Sequence, residues 1–185
     1  MDDAKAAATA RSPSPWHVPV AVEDVPETGE HFELTADSQT RAAIAKVAGL
    51  RELPRLEANF DVTRQGGGGL RVAGRVAATV GQTCVVSLEP VTNEVAEDVD
   101  LVFVPQAALG DSRGTATSPE ESEYEMEPLI GGLVDLGGLA TEFLILGLDP
   151  YPRKPGAVFQ PPEEATAAES PFSSLAALKK GRDAD

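Results

Sequence analysis

The sequence predicts an α+β fold: a strongly bent, partly barrel-like antiparallel sheet packed against two main helices, with a short helix near the C-terminus. Three observations carry this prediction. Apolar residues alternate with polar ones at strand period over most of 56–88 and again over 95–103. Two stretches, 37–48 and 135–148, have helical spacing instead. The strand-like runs follow one another through glycine- and proline-marked turns rather than alternating with helices, which argues for antiparallel pairing.

Residues 1–15, rich in Ala, Ser and Pro, are expected to be a flexible leader. Val18, Val20 and Val22 alternate as a first strand, which Pro19 confines to a sheet edge. Phe32 and Leu34 mark a second strand. A helix follows from about Asp37 to Ala48, with Ile44 and Val47 inward and Gly49 as its stop. Leu56, Ala58, Phe60 and Val62 then alternate as a strand that ends in the turn Gly66-Gly-Gly-Gly69. This glycine run opens no helix and lacks the Lys-Ser/Thr ending of a phosphate loop, so it predicts a hairpin.

Beyond it, Leu70, Val72, Gly74, Val76, Ala78 and Val80 share one face, and the same parity extends to Cys84, Val86 and Leu88. Arg71, Ala73, Arg75, Ala77 and Thr79 share the other face, with Gly81 as the expected bend. Pro90–Asn93 is expected to turn the chain into a returning strand carrying Val95, Val99, Leu101 and Phe103. Between Gln106 and Glu127 there are six acids against the single base Arg113, so about 107–124 is expected to be a mobile acidic insertion. Met126–Ile130 is a last strand candidate.

The most apolar helix spans 135–148. Asp135 is its expected N-cap, able to accept from the N–H groups of Gly137 and Gly138. Leu136, Leu139, Phe143 and Leu146 lie on one face, with Ala140, Leu144 and Leu148 beside them. Glu142 is the one charge from Leu136 to Leu148, so the helix is expected to be covered on most sides. It is far shorter than the roughly 20 apolar residues of a membrane span. Asp149-Pro-Tyr-Pro152 ends it. The domain is therefore placed at 16–152, followed by a Pro-rich tail over 153–185 with a short helix at about 170–180. Ser170 caps that helix, Phe172 and Leu175 give its apolar stripe, and Lys179 and Lys180 suit its last turn before Gly181.

Composition bounds the chemistry. With 15 Lys and Arg against 30 Asp and Glu, the formal charge of −15 opposes a surface built to neutralise phosphates. Arg41, Lys46, Arg51 and Arg55, and Arg71 and Arg75, are scattered singly along the chain. One cysteine and two histidines are too few for a zinc site, and Ser87 stands where a Cys-x-x-Cys pair would need its second sulfur. No metal or cofactor is expected, and Cys84 is expected to be a buried free thiol. Glu89, Glu94, Asp135 and Glu142 could supply a carboxylate pair for an enzyme, but no spacing singles out two of them. A lone acid on an apolar helix needs a partner, for which Arg71 or Arg75 are candidates. The single cysteine and the absence of an apolar leader predict a cytoplasmic protein without membrane attachment.

Three segments in this order and spacing resemble one family. They are Gly74-Arg-Val-Ala-Ala with Cys84-Val-Val-Ser-Leu-Glu-Pro-Val91, Val134-Asp-Leu-Gly with Glu142 and Tyr151-Pro152, and Ser170-Pro-Phe with Leu175-Ala-Ala-Leu-Lys-Lys180. Together, over about 16–180, they resemble the YceD family of large ribosomal RNA subunit accumulation proteins, in an alphaproteobacterial form. Many members carry Cys-x-x-Cys at the turn where this chain keeps Cys84 alone. The resemblance implies a non-enzymatic role in production or maturation of large-subunit ribosomal RNA and supplies no catalytic residues. Cys84, Glu89, Pro90, Asp135 and Glu142 carry over as signature positions without an assigned role. The acidity of the chain favours a basic ribosomal protein or assembly factor as direct partner, with ribosomal RNA reached indirectly and the oligomeric state left open. Phe172, Leu175, Lys179 and Lys180 are candidate partner contacts. The alternatives are an acidic holdase-like binder of basic chains and an enzyme using Glu89 and Glu142.

Overall fold

The computed structural model describes residues 14–106 and 125–159. Most of the leader, the acidic insertion over 107–124 and the 170–180 helix with its contact residues lie outside them. In chain order the elements are β1 (Pro19–Ala21), a 3-10 turn (Val22–Asp24), β2 (Glu30–Thr35), α1 (Ser38–Val47), β3 (Glu52–Gln65), β4 (Gly69–Thr83), β5 (Pro90–Pro105), β6 (Glu125–Leu129), β7 (Leu133–Asp135) and α2 (Leu136–Leu146).

The fold is α+β. The main sheet has the order β2-β3-β4-β5-β6, and β1 and β7 form a separate two-stranded ribbon. β2 to β5 pair antiparallel. The sheet departs from the expected architecture in two ways. It is open rather than barrel-like, since the short strands β2 and β6 are its two edges. It is also mixed, because β6 runs parallel to β5. A parallel neighbour needs a crossover connection of a dozen or more residues, and the long connection between Pro105 and Glu125 supplies that length.

The period-2 pattern of β4 dictates its environment. Leu70, Val72, Val76, Ala78 and Val80 are fully buried, while Arg71, Ala73, Arg75, Ala77 and Thr79 lie on the opposite, more open face. Cross-strand partners share a face, so Leu56, Ala58, Phe60 and Val62 of β3 and Val95, Val99 and Leu101 of β5 join the same core. Ile44 and Ala45 of α1 and Leu136, Leu139, Ala140 and Leu144 of α2 complete it. Both helices therefore cover one face of the sheet.

The other face carries cross-strand ion pairs. Arg71 holds Asp100 through two nitrogens at 2.8 and 2.7 Å, Arg75 faces Asp98 at 3.5 Å, and Arg55 bridges Glu57 and Glu94 at 3.1 and 2.8 Å. Such exposed pairs contribute a few tenths of a kcal/mol each, about 0.2–1. They order the face without holding the fold together.

Five local expectations are corrected. β4 ends at Thr83, so Leu88 does not continue its core face; it is 75% exposed with φ of 59°. The connecting turn falls at 84–89, and Pro90 already begins β5. Val47 is 65% exposed, because Leu50 folds back onto the core after the Gly49 stop and fills the inward place. Leu146 is 76% exposed: Gly147 seats against Val95 and Glu97 of β5, Leu148 turns inward, and Leu146 points away. The bend expected at Gly81 is a bulge on the partner strand, between Glu52 and Arg55, where Pro54 has no N–H to pair.

Gly74 marks where β3 and β4 come closest, since a Cβ there would collide with the Asn59 carbonyl of β3. Gly74→Ala should therefore lower stability by roughly 1–3 kcal/mol, as overpacking against immovable backbone does. Gly66→Ala, in open space at the hairpin tip, should stay within about 0.5 kcal/mol of the parent. Urea unfolding of the two variants checks the contrast.

Candidate functional site

The signature residues fall in two separate places. Cys84, Glu89 and Pro90 form the knuckle between β4 and β5, and Asp135 and Glu142 line a cleft beside α2.

The knuckle is a tight turn built around one sulfur. The Cys84 N–H donates to the Glu89 carbonyl at 2.9 Å, and the Leu88 N–H donates to the Cys84 carbonyl at 3.0 Å. This closure, with Leu88 in a left-handed conformation, turns the N–H groups of Val86 and Ser87 toward Cys84 Sγ at 3.4 and 3.3 Å. A third N–H, from Lys154, reaches the same sulfur at 3.3 Å from the chain beyond α2. That segment is docked by the Val85 N–H on the Pro152 carbonyl at 2.9 Å, by Gln82 on the Asp149 carbonyl at 2.9 Å, and by Lys154 Nζ on Glu89 at 3.0 Å. Cys84 is buried as expected, yet its cover is its own turn and residues 152–154 rather than the main core.

Backbone N–H groups aimed at sulfur favour the thiolate. The Lys154 N–H leads, followed by Ser87 and Val86, and together they draw the Cys84 thiol down to about 6. Lys154 likewise holds the Glu89 carboxyl below its ordinary range. Among the described residues no group of three His, Cys, Asp or Glu side chains could hold a metal ion.

The cleft has a volume of about 420 Å³ between α2, the β6–β7 turn and the start of the domain. Its position follows from a reciprocal lock between residues distant in sequence. The Val18 N–H donates to Asp135 Oδ1 at 2.7 Å, and the Leu136 N–H donates back to the Val18 carbonyl at 2.9 Å. Gly137 lets Trp16 lie against α2, since a Cβ there would meet the Trp16 backbone carbonyl at 2.8 Å. His17 is thereby held at the cleft, its Nδ1 2.8 Å from Asp135 Oδ2.

Asp135 is the N-cap residue of α2, but its side chain makes no capping bond; the carboxylate is taken by Val18 and His17 instead. Burial pushes this carboxyl up, and the Val18 N–H, the His17 ring and the nearby Gly138 N–H outweigh it, so it sits below the ordinary carboxylate range. Glu142 is exposed on the cleft rim rather than enclosed. Arg71 and Arg75, the cations suggested for it, are engaged across the sheet by Asp100 and Asp98. The walls are apolar, with Phe103, Val134 and Leu139 inside and the exposed Ile130 and Leu133 at the mouth.

The chemistry on offer is recognition more than bond-making. Glu89 does not line the cleft that contains Glu142, so the two are not brought into one carboxylate site. Ser14 also lines the cleft, but its hydroxyl is directed to Thr141 at 3.4 Å and accepts from the Trp16 N–H at 3.3 Å, and it does not complete a nucleophile–base pair with His17. His17 and Lys154 were not foreseen in these roles. The signal for Lys154 was the run Pro152-Arg-Lys-Pro155, whose N–H groups no helix or strand could use.

The described residues thus form an α+β domain with an ion-paired outer sheet face, a sulfur-centred knuckle and an apolar cleft rimmed by carboxylates. A family model described as large ribosomal RNA subunit accumulation protein YceD matches residues 72–179, more than half of the chain. The chain belongs to the YceD family. No curated protein and no solved structure matches it. Among the described residues no helix is long and apolar enough to cross a membrane.

The knuckle has a measurable pH signature. The folded-state thiol, near 6, lies below its unfolded value of about 8.5. A depressed pKa gives stability that is complete above the unfolded value and is lost as pH falls through the folded one. The stability difference between the parent and Cys84→Ala should therefore shift in favour of the parent between about pH 6 and 8.5 and level off outside that window. Denaturant midpoints of both proteins across that range check it, and a flat difference would mean that Cys84 stays a neutral thiol.

Proposed function

We propose that the chain serves accumulation of large-subunit ribosomal RNA as a non-catalytic accessory protein, by holding a basic ribosomal protein or assembly factor. The family supports the ribosomal RNA setting. The observation that carries the protein-binding reading is the cleft, where an apolar wall open to solvent meets two carboxylates.

A segment that pairs an aliphatic side chain with a lysine or arginine fits this combination. Ile130 and Leu133 are 70% and 48% exposed at its mouth and would lose apolar surface to water on binding. Glu142 on the rim and the hydrogen-bonded Asp135 supply the negative end. The formal charge of −15 steers a basic chain toward the protein at a rate that falls with salt. The separation of Glu89 from Glu142 supports binding over the two-carboxylate enzyme.

The test is capture of partners by the tagged full chain from a lysate digested exhaustively with ribonuclease. A basic large-subunit protein or assembly factor should remain bound. Glu142→Gln and Ile130→Ser should each weaken the purified pair by roughly tenfold, the order expected for a rim charge or an exposed apolar contact, and Ile130→Ser should do so without shifting the unfolding midpoint. Loss of every partner on digestion, or unchanged affinity in both variants, would sink the reading.

A further inference from the structure

Folding gathers cations that the sequence scatters. Arg41 lies on α1, Lys46 in its last turn and Arg51 in the turn beyond, and all three line one groove between α1 and the start of β3, about 610 Å³ in volume. Ala42, Ala45, Leu50, Leu53 and Pro54 form the rest of its floor and wall. The convergence has an identifiable cause. Gly49, at φ of 67°, reverses the chain, the Leu50 N–H returns to the Ala45 carbonyl at 2.9 Å, and the Arg51 N–H binds the Gly81 carbonyl of β4 at 2.8 Å.

The groove differs from the ion-paired sheet face and knuckle, and it gathers three cations where Arg64 and Arg153 stand singly. Arg55, Arg71, Arg75 and Lys154 are each neutralised by a carboxylate. Lys46 and Arg51 are exposed and have no carboxylate partner among the described residues. Arg41 spends two nitrogens on the carbonyls of Leu53 and Ala36, at 3.1 and 2.5 Å, which fixes its charge in place without cancelling it. Glu52 is the one acid lining the groove, and Asp37, which caps α1 through the Thr40 N–H, keeps its charge near Arg41, so Lys46 and Arg51 are the groove's cations without a carboxylate beside them among the described residues. Unneutralised cations in one concave site on a chain of net charge −15 are placed against the general repulsion of polyanions, and this local exception marks a site for one.

We propose that this groove binds the phosphate backbone of RNA directly. Arginine and lysine in a fixed array match successive phosphates, and the groove has no aromatic side chain on which a base could stack, so recognition is of backbone rather than sequence. The residues that line the groove precede the matched residues 72–179. Because the carboxylate-rimmed cleft takes no part in it, the two readings fail separately. The protein would hold a basic partner at one site and ribosomal RNA at another.

The experiment uses the full chain and a short end-labelled single-stranded RNA of mixed sequence, with anisotropy read over a salt series. Binding should weaken with salt with a logarithmic slope of about −2, the value for three phosphate contacts on a single strand. Lys46→Gln with Arg51→Gln should reduce affinity by roughly tenfold and flatten the slope by more than half. Arg41 is left intact because its guanidinium supports the loop. Lys46→Arg should retain binding, and Arg75→Gln, on the sheet face, should leave it unchanged. Equal affinity in the double variant, or no RNA binding at low salt, would overturn the assignment. Polyglutamate that competes as well as RNA at equal charge would also overturn it, making the groove a dock for acidic protein. Capture of protein partners by the double variant from the digested lysate should be unaffected, which separates this result from the cleft reading.

Discussion

The architecture depends on β4 having to bury one face completely while sitting between two long neighbours. Leu70, Val72, Val76, Ala78 and Val80 have no solvent exposure, and a side chain of that size contributes about 1.5–3 kcal/mol when removed from water. β3 and β5 satisfy its backbone, so only its core face needs a cover, and both helices go there. The cost is an outer face with nothing packed on it, where charge must be arranged strand by strand. Arg55, Arg71 and Arg75 therefore find acids on the sheet, Arg64 is held by the Val25 and Glu23 carbonyls, and Arg41, Lys46 and Arg51 line one groove beside the irregularity between Glu52 and Arg55.

Much of this was legible in the sequence, and the failures have identifiable causes. Period-2 patterning reports which residues of one strand share a face, and it located β3, β4 and β5 well. It carries no information on the direction of a neighbour, so β6 was given the wrong sense. Parity also persists on paper after a strand has ended: Cys84 lies on the correct parity, but its burial comes from the knuckle and from Lys154, 70 residues away. The helix patterns overestimated cover for a related reason. A helical wheel shows that Val47 and Leu146 could face inward, whereas Leu50 and Leu148 from the following turns actually fill those positions.

The site residues illustrate the same limit. Asp135 was placed correctly at the head of α2, and the expected local bonds to Gly137 and Gly138 gave way to stronger ones with Val18 and His17. A carboxylate chooses between donors by geometry, and the donor from β1 is visible only once the ribbon with β7 has formed. Arg41, Lys46 and Arg51 were each noticed and judged isolated, because spacing along the chain says little about proximity across a reversal such as that at Gly49. The resemblance, drawn over about 16–180 from motifs around Cys84 and Glu142, named the right family, whose model matches from residue 72, beyond the residues that line the groove.

The covering of Cys84 by Lys154 has a practical consequence. The chain has a single thiol, and its sulfur is closed off by the turn on one side and by the 152–154 segment on the other. A reagent can reach it only when that segment lifts, which also removes the Lys154 N–H that leads in favouring the thiolate. Alkylation therefore proceeds at a rate set by the fraction of time the segment is open, multiplied by the intrinsic rate of the thiolate. This makes the cysteine a built-in clock for undocking of the chain beyond α2, readable by mass alone and without an attached label, in the free protein and in any complex it forms.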